Sequence, residues 1–450
     1  MKSFPFKITV LVLLPIAPLG LRAGEPEPAH DPLDITSEFV DRLVAEAQAQ
    51  NPALQAAGAR AEAANSAAAA VRSWEDPTAS FGLWASTSRG FPSSQEGNLV
   101  YGLEQKLPLH GRPELMRKAA AAEASREGLA ADFETQKLRR DLQVALNGLA
   151  LADRQAAVAE QDLGWLDATL DAVDHRYRVG HASQVDWLKI QSARAMATDD
   201  LRTREQERAH GAFALNRLLN RDLHAPWPSV GVPALQPPIY YTDQLVDAAL
   251  AAEPQLRVMR QVSVSAQAAA DLTRRNRLPD VSVGVEARQY SGDGGFREGM
   301  ATVSFSVPWL NKGRYDDDWR RDQQRKRASD LAAADHALSL REELHHHVVD
   351  LDAARRQAVL YRDQLIPLTQ QTLSSAQAAW EHNLGPFQDI LDAHRMLLAE
   401  ELALDHALTD QGAMLAEISF LTGSRDTGAL LALAGNPPPE HDDPTPENSK

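Results

Sequence analysis

Four segments of the chain carry an apolar residue at every second position, and they come as two pairs. The apolar positions are Ala79, Phe81, Leu83 and Ala85; Leu99, Tyr101 and Leu103; Val281, Val283, Val285 and Ala287; and Ala301, Val303, Phe305 and Val307. Alternation with period two over about ten residues is the pattern of a β-strand. We therefore predict one strand pair at about 77–109 and a second at about 279–310, each with a hinge rich in glycine, serine and charge.

Elsewhere the apolar residues recur in steps of three and four, as along one face of an α-helix. Alanine, leucine, glutamate, glutamine, arginine and lysine dominate these stretches, and all are strong helix formers. The predicted helices span about 113–178, 183–221, 315–381 and 386–422, with a kink at Pro367 in the third. A helix over 113–178 would be roughly 95–100 Å long, which suits coiled-coil packing in a rod.

The same order of elements occurs twice, about 202 positions apart. The matching landmarks are Asn51–Pro52 with Glu253–Pro254, Pro77 with Pro279, 107–112 with 307–314, and 186–188 with 389–391. This regularity indicates a duplicated unit, with a first repeat over 24–222 and a second over 223–436. The proline-rich and acidic stretch 437–450 is expected to be a disordered tail.

The N-terminus has the pattern of a secretory signal peptide. Lys2 and Lys7 flank the start of a short apolar run, and a small residue, Ala23, precedes the expected cleavage point. Residues 1–23 are therefore predicted to be removed on export, and Pro15 and Pro18 argue against a retained anchor. No later stretch has the roughly 18 consecutive apolar residues of a transmembrane helix.

Charge and cysteine content exclude several classes of function. The formal net charge is −16, and no basic stripe is present, so a nucleic-acid partner is not expected. The sequence has no cysteine, which excludes disulfides, thiol catalysis, cysteine zinc sites and a lipid anchor on an N-terminal cysteine. Motifs for a nucleophilic serine, a phosphate loop or a zinc protease are also missing, so we expect neither an enzyme nor a cofactor.

Two runs of possible metal ligands have simpler interpretations. The side chains of His345, His346 and His347 would point in different directions on a helix, so they cannot chelate one ion together. Asp316, Asp317 and Asp318 stand at a predicted helix start, where negative charge complements the helix dipole. The sequence therefore predicts no metal site.

The strand pairs have the length of tilted membrane strands, although a half-buried sheet on a soluble core would show the same alternation. The opposite face, with Glu104, Lys106, Glu286 and Arg288, indicates contact with water. Four membrane strands cannot close a barrel, and open edges are not tolerated in lipid, so several chains would have to pool their strands. Trp84, Tyr101, Tyr290 and Trp309 could then form an aromatic girdle or pack across strands.

Several motifs in fixed order resemble the TolC-like outer-membrane efflux family over nearly the whole exported chain. They comprise the start at Asn51, Pro52 and Leu54; the strand exits Pro108/Gly111 and Pro308/Gly313; the first helix tip at 176–180 with 183–188; and the second at 380–387 with 389–392. Each motif is weak alone, but the ordered set in two copies is specific. The resemblance implies a mainly α fold with a trimeric twelve-stranded membrane barrel on a long coiled-coil helical tunnel.

The resemblance also implies roles for individual residues. Asp389 and Asp392 match the acidic pair at the tunnel constriction, and three-fold symmetry would make rings of six carboxylates that favour cations. Trp380 stands where known members place a gating tyrosine, and the position of the partner arginine falls near Gly385. The helix-tip residues expected to contact a periplasmic adaptor are Arg178, Val179, Gly180, Leu384 and Gly385; the two glycines are also interpreted as helix-ending residues.

The function implied is a passive exit duct in the outer membrane that extends into the periplasm. Its expected partners are two further copies of the chain, outer-membrane lipid, a periplasmic adaptor and an inner-membrane pump of the RND type, and its cargo would be small molecules or metal ions. One alternative is the exit duct of a type I protein secretion system. Another is a periplasmic coiled-coil adaptor, although the lipoyl-like β module of such adaptors is not seen between two helical arms.

Overall fold

The structure, a computed structural model, describes residues 32–83, 97–290 and 294–434, so the predicted signal peptide, Trp84 and the tail after residue 436 lie outside it. The first half contains α1 (Ser37–Gln50), α2 (Pro52–Ala70), β1 (Thr78–Leu83), β2 (Gly97–Lys106), α3 (Arg112–Arg178) and α4 (Gln184–Leu219). The second contains α5 (Asp243–Ala252), α6 (Pro254–Arg275), β3 (Val281–Tyr290), β4 (Phe296–Phe305), α7 (Lys312–Leu360), α8 (Ile366–Glu381), α9 (Phe387–Thr422) and α10 (Thr427–Ala434). The prediction of a mainly helical chain with four strands and a duplicated unit is confirmed.

Matching helix caps show how the two halves repeat each other. The side chain of Asn51 begins α2 by accepting a hydrogen bond from the backbone N–H of Ala53 at 2.8 Å. Glu253 begins α6 in the same way, through the backbone N–H of Gln255 at 2.9 Å. A proline occupies the first helical position in both cases, where its missing N–H costs nothing. The repeat thus preserves the capping geometry while replacing an amide by a carboxylate.

The four strands form one antiparallel sheet in the order β1-β2-β3-β4. The two hairpins come from different halves and join through β2 and β3, so that Tyr101 lies opposite both Phe81 and Ala287. One face is apolar and exposed, with Phe81, Leu103, Val285 and Val303 between 50% and 70% accessible. The register places Glu104, Glu286 and Arg288 on the other face, as predicted from the alternation.

The long helices extend from the sheet to two tips. Helix α3 has 67 residues, which is about 100 Å of helix, and its only proline stands in the first turn. Helices α7 and α8 together match it in length, but a π-helical turn at Tyr361–Leu365 separates them. The turn directly precedes Pro367, whose missing N–H was expected to kink the helix. Among the described residues, no helix is both long and apolar enough to cross a membrane.

Three apolar cores hold the helices together. The first core lies among α1, α3 and α4 and includes the fully buried Leu142 and Leu146. The second core lies among α5, α7 and α9 and includes Leu344 and Val348, which stand 202 positions after Leu142 and Leu146. The third core lies at the far end of the long helices. The first two cores sit at equivalent places in the two halves, so the duplication extends to their packing.

Charged side chains join α3, α7 and α9 beside the second core. His347 Nε2 lies 3.9 Å from Glu343 Oε1 on α7, and Arg140 Nη1 lies 3.5 Å from Glu417 Oε2 on α9. The contact with the Glu343 carboxylate raises the pKa of His347 above its ordinary value of 6.5, and the same contact lowers the pKa of Glu343. Burial raises the pKa of Glu417 despite the nearby Arg140 guanidinium.

The first core gives a stability prediction. Leu146→Ala is expected to lower the free energy of unfolding by about 2–5 kcal/mol, because it leaves a cavity in a fully buried site. The matched control is Leu331→Ala on α7, whose side chain is 60% exposed and whose loss should stay within about 0.5 kcal/mol. Thermal unfolding followed by circular dichroism in detergent measures both. Equal losses in the two variants would contradict the packing described.

The cluster around His347 gives a pH prediction. A histidine whose pKa is raised on folding stabilises the protein fully below its unfolded value, and this contribution is lost as the pH rises through the folded value. His347→Gln should therefore lower the melting temperature most near pH 6, above the pKa of Glu343, and progressively less towards pH 9. His346→Gln is the control, since that side chain is 71% exposed. A melting-temperature difference that grows with pH would contradict this assignment.

Candidate functional site

Two connections between antiparallel helices form the far end of the rod. The first tip, residues 176–186, joins α3 to α4, and the second tip, residues 379–389, joins α8 to α9. The backbone N–H of His181 donates to the carbonyl of Arg176 at 2.8 Å, and that of Leu384 donates to the carbonyl of Ala379 at 2.8 Å. These bonds satisfy the last carbonyl groups of each helix in the same way, so the two tips are built alike.

The left-handed residue that ends each helix differs between the tips. Gly180 has φ 80° in the first tip, but Asn383 has φ 59° at the equivalent place in the second. The interpretation of Gly385 as the helix-ending glycine is therefore wrong, because asparagine tolerates this conformation and takes its place. Gly385 is small for another reason: a Cβ atom there would lie 3.1 Å from the Cβ of Ala379.

The helices that leave the tips begin differently. In the first tip, Ser183 and Asp186 form a reciprocal capping box at the start of α4. In the second, Pro386 stands in the place of Ser183 and offers neither a hydroxyl nor an N–H. Asp389, which corresponds to Asp186, consequently has no capping role and stays exposed. The change from serine to proline leaves this carboxylate available to solvent.

The predicted adaptor-contacting residues lie on the outside of the tips. Val179 is 56% exposed and Leu384 is 82% exposed. The Arg178 side chain is 76% exposed and pairs with Asp174 at 2.6 Å. Apolar groups standing free at the end of a helical rod provide a small contact surface.

Asp389 and Asp392 lie one turn apart near the start of α9, and both are exposed. Asp392 Oδ1 accepts a hydrogen bond from Gln388 Nε2 at 2.8 Å. Gln388 Oε1 in turn accepts one from Lys189 Nζ on α4 at 2.7 Å. A chain of hydrogen bonds thus connects the second of the two carboxylates to the first half of the protein.

Trp380 is half-buried, and its partner comes from the first tip. The guanidinium of Arg176 lies 4.2 Å from the centre of the Trp380 ring. Arg176 Nη2 also donates to Asn383 Oδ1 at 2.7 Å and to the Trp380 carbonyl at 3.3 Å. The other ring neighbour of Trp380 is Phe387, at 5.4 Å between centroids. The sequence had suggested only that the arginine position near Gly385 was lost, and it did not identify Arg176 as the cation.

A second contact between the two halves lies below the tips, and the sequence analysis did not predict it. His394 on α9 is 7% exposed, and its Nε2 lies 2.8 Å from Asp162 Oδ1 on α3. Its ring stacks on Trp165 with centroids 3.6 Å apart. His394, Trp165 and Asp162 show no local pattern that could have signalled the contact, because the partners are more than 200 positions apart.

The histidine run makes three separate contacts, as expected for adjacent helical residues. His345 meets the edge of Tyr241, His346 lies 3.4 Å from Asp350, and His347 faces Glu343. Within the described ranges, no group of three or more histidine or acidic side chains is placed to hold a metal ion. Asp316, Asp317 and Asp318 each pair with an arginine.

The sequence and the fold both match known proteins. A sequence profile of the outer membrane efflux protein family matches residues 43–221 and again residues 245–424. The outer membrane protein VceC of Vibrio cholerae is 16% identical, with 86% of this chain and 96% of that chain covered and a TM-score of 0.72. The CmeC outer membrane channel of Campylobacter jejuni is 14% identical, with 88% and 89% covered and a TM-score of 0.74.

A third solved structure is the open state of the MtrE outer membrane channel of Neisseria gonorrhoeae. It is 18% identical, with 86% of this chain and 90% of that chain covered and a TM-score of 0.69. Among curated proteins, none matches the sequence. At these identities the structural likeness establishes the fold alone, whereas the two profile matches cover both halves and argue against a periplasmic adaptor. The chain therefore belongs to the outer membrane efflux protein family, whose members are channels and not enzymes.

Proposed function

We propose that three copies of this chain form a passive duct in the outer membrane, which carries small molecules or metal ions from the periplasm or an inner-membrane pump to the exterior. Each copy would contribute its four strands to a twelve-stranded barrel and its long helices to a periplasmic tunnel. Export would depend on residues 1–23 as a signal peptide, and the chain, which has no cysteine, would carry no cysteine-linked lipid anchor.

The exposed sheet is the observation that supports this proposal most strongly. Strand β4 lies at an edge of the sheet, and all ten of its residues are exposed. An edge strand with Phe296, Val303 and Phe305 in contact with water would be an aggregation site. In lipid its open edge would leave backbone groups unsatisfied. Pooling the sheets of several chains into a closed barrel removes both problems.

The other face of the sheet is consistent with a wet barrel interior. Arg288 lies 3.1 Å from Glu298 Oε1 and 3.6 Å from Glu286 Oε1 on this face. Glu104 accepts a hydrogen bond from Ser304 at 3.0 Å nearby. Charged groups that hydrogen-bond to one another in an open, polar surface suit a water-filled lumen rather than a packed core.

The position of the tips supports a periplasmic partner. The sheet adjoins the start of α3 and the tips lie at its other end, about 100 Å away, so a barrel in the outer membrane would hold the tips deep in the periplasm. The exposed Val179 and Leu384, together with Arg178, Gly180 and Gly385, would contact a periplasmic adaptor. An inner-membrane pump of the RND type would supply the energy, since a passive duct needs none of its own.

The mass of the assembly tests the proposal directly. The protein is extracted in mild detergent from separated outer membranes, and its mass is measured by light scattering with the detergent contribution subtracted. Three chains per particle are expected. A monomer recovered from the soluble periplasmic fraction would overturn the proposal, and the sheet would then need another partner to cover its edges.

The acidic pair on α9 gives a prediction for ion selectivity. Replacing Asp389 and Asp392 by Asn should lower the preference for cations, because six carboxylates would be lost where α9 begins in a trimer. The reversal potential across a planar bilayer in a KCl gradient measures this preference. Asp200→Asn on α4 is the control, since its side chain is 51% exposed and pairs with Arg204 of its own helix. An unchanged reversal potential in the double variant would contradict a constriction at these residues.

The link between the tips gives a prediction for gating. Arg176→Gln removes a cation–π contact and a charge-assisted hydrogen bond between the two tips. A net loss of about 1.4 kcal/mol from the closed state should raise the population of open channels roughly tenfold. Single-channel recording of open probability is the measurement. Arg178→Gln is the matched control, because its exposed guanidinium pairs with Asp174 of the same helix. Equal open probabilities for the two variants would count against Arg176 as a link that holds the second tip.

A further inference from the structure

A cavity of about 520 Å³ lies between the two halves, away from the tips and from the sheet. It is bounded by α1 and α3 of the first half, and by α9 and the segment 423–425 of the second. The last turn of α5 closes one side through Ala251 and Ala252. Neither the tips nor the sheet uses this cavity.

The lining is strongly basic. Four arginines reach the cavity, Arg139, Arg140, Arg257 and Arg425, against a single carboxylate, Asp41. Asp41 is already occupied, because it forms an ion pair with Arg139. A cavity with this balance attracts an anionic ligand.

The four arginines differ in whether their guanidinium groups already have ion-pair partners. Arg140 pairs with Asp141 at 2.6 Å and lies beside Glu417, as described above. The guanidinium groups of Arg257 and Arg425, by contrast, have no hydrogen-bond or ion-pair partner in the part of the chain that the structure describes. Arg257 is also half-buried. A half-buried guanidinium that has no carboxylate partner can bind a carboxylate, since its five N–H groups remain to be satisfied.

The remaining polar groups in the wall also favour a carboxylate-bearing ligand. Gln136, Gln143 and Ser419 can donate hydrogen bonds into the same space as the arginines. Between them lie small apolar surfaces such as Val44 and Ala416. The size and the mixture of contacts fit a short acidic peptide rather than a single small ion.

The chain itself contains such a peptide close by. Four acidic residues occur within eight positions of the C-terminal stretch, and they are Glu440, Asp442, Asp443 and Glu447. Prolines occupy positions 437–439, 444 and 446 of the same stretch. The stretch contributes many carboxylates and no bulky apolar residue, so its pairing with the cavity would be electrostatic.

The stretch begins within reach of the cavity. Helix α10 starts at Thr427, two residues after the cavity residue Arg425, and its eight residues extend only about 12 Å. Glu440 lies six positions after Ala434, a length of chain that can reach at most about 20 Å. The acidic residues can therefore return to the cavity from the end of α10.

We infer that residues 440–447 of this chain bind in the arginine-lined cavity of the same copy, with their carboxylates on Arg257 and Arg425. Bound in this way, the stretch would tie the end of the second half to α1 and α3 of the first half. The inference stands independently of the cargo and of the adaptor.

The absence of cysteine from the chain makes a crosslinking test direct. Full-length protein carrying Gln48→Cys in the cavity wall and Asp442→Cys is oxidised mildly in its membrane. The control pairs Asp442→Cys with Asp247→Cys on α5, a helix that α10 itself packs against. We expect the cavity pair to crosslink within one chain at least roughly tenfold more than the control, because binding raises the effective concentration.

Two further variants complete the test. In the cavity pair, Arg257→Gln with Arg425→Gln should reduce the crosslink roughly tenfold, while the mass of the assembly stays the same. Salt should reduce the crosslink in the unaltered background and have little effect in the arginine variant. The inference is overturned by equal crosslinking of the cavity and control pairs. It is also overturned if the crosslink joins two chains, since a neighbouring copy would then fill the cavity, or if the arginine variant crosslinks as well as its parent.

Discussion

The structure depends on a sheet that is incomplete in one chain. Its four strands offer an apolar face and two open edges, and backbone N–H and C=O groups along an edge need partners in any solvent other than water. In both hairpins the first strand begins and the second strand finishes at the same end of the sheet. All the helices therefore extend from that end. The length of those helices then fixes how far the tips lie from the sheet. In the proposed assembly, the open edges would determine how the copies join, and the long helices would determine where the assembly meets other proteins.

Much of this fold could be predicted because its signals are local and repeated. Alternation located the strands, and the absence of proline after Pro113 indicated the full length of α3. The pairing of β2 with β3 was not predictable, since it joins segments almost 200 positions apart and depends on the packing of both halves. The start of α7 was predicted at about residue 315, but the helix begins at Lys312, because the short 3-10 turn Pro308–Asn311 leads directly into it.

The candidate site was less predictable, because its contacts are tertiary. The exposed positions of Val179, Leu384 and Asp389 followed from their places at helix ends. The pairing of Arg176 with Trp380 did not, since it needs the two tips to lie side by side. Asn383 was overlooked for a different reason: a glycine two residues later is the stronger statistical signal for a helix end, although asparagine has the same backbone freedom in practice.

The π-helical turn at Tyr361–Leu365 keeps the second tip in rotational phase with the first. Leu138 and Leu142 precede Leu340 and Leu344 by 202 positions, whereas the left-handed residues of the two tips are 203 positions apart. The second half thus contains one additional residue between its core and its tip, and the wider turn takes it up. In an uninterrupted α-helix that residue would rotate everything beyond it by about 100°, and Trp380 would face away from Arg176. A single irregular turn therefore sets the direction in which Trp380 points.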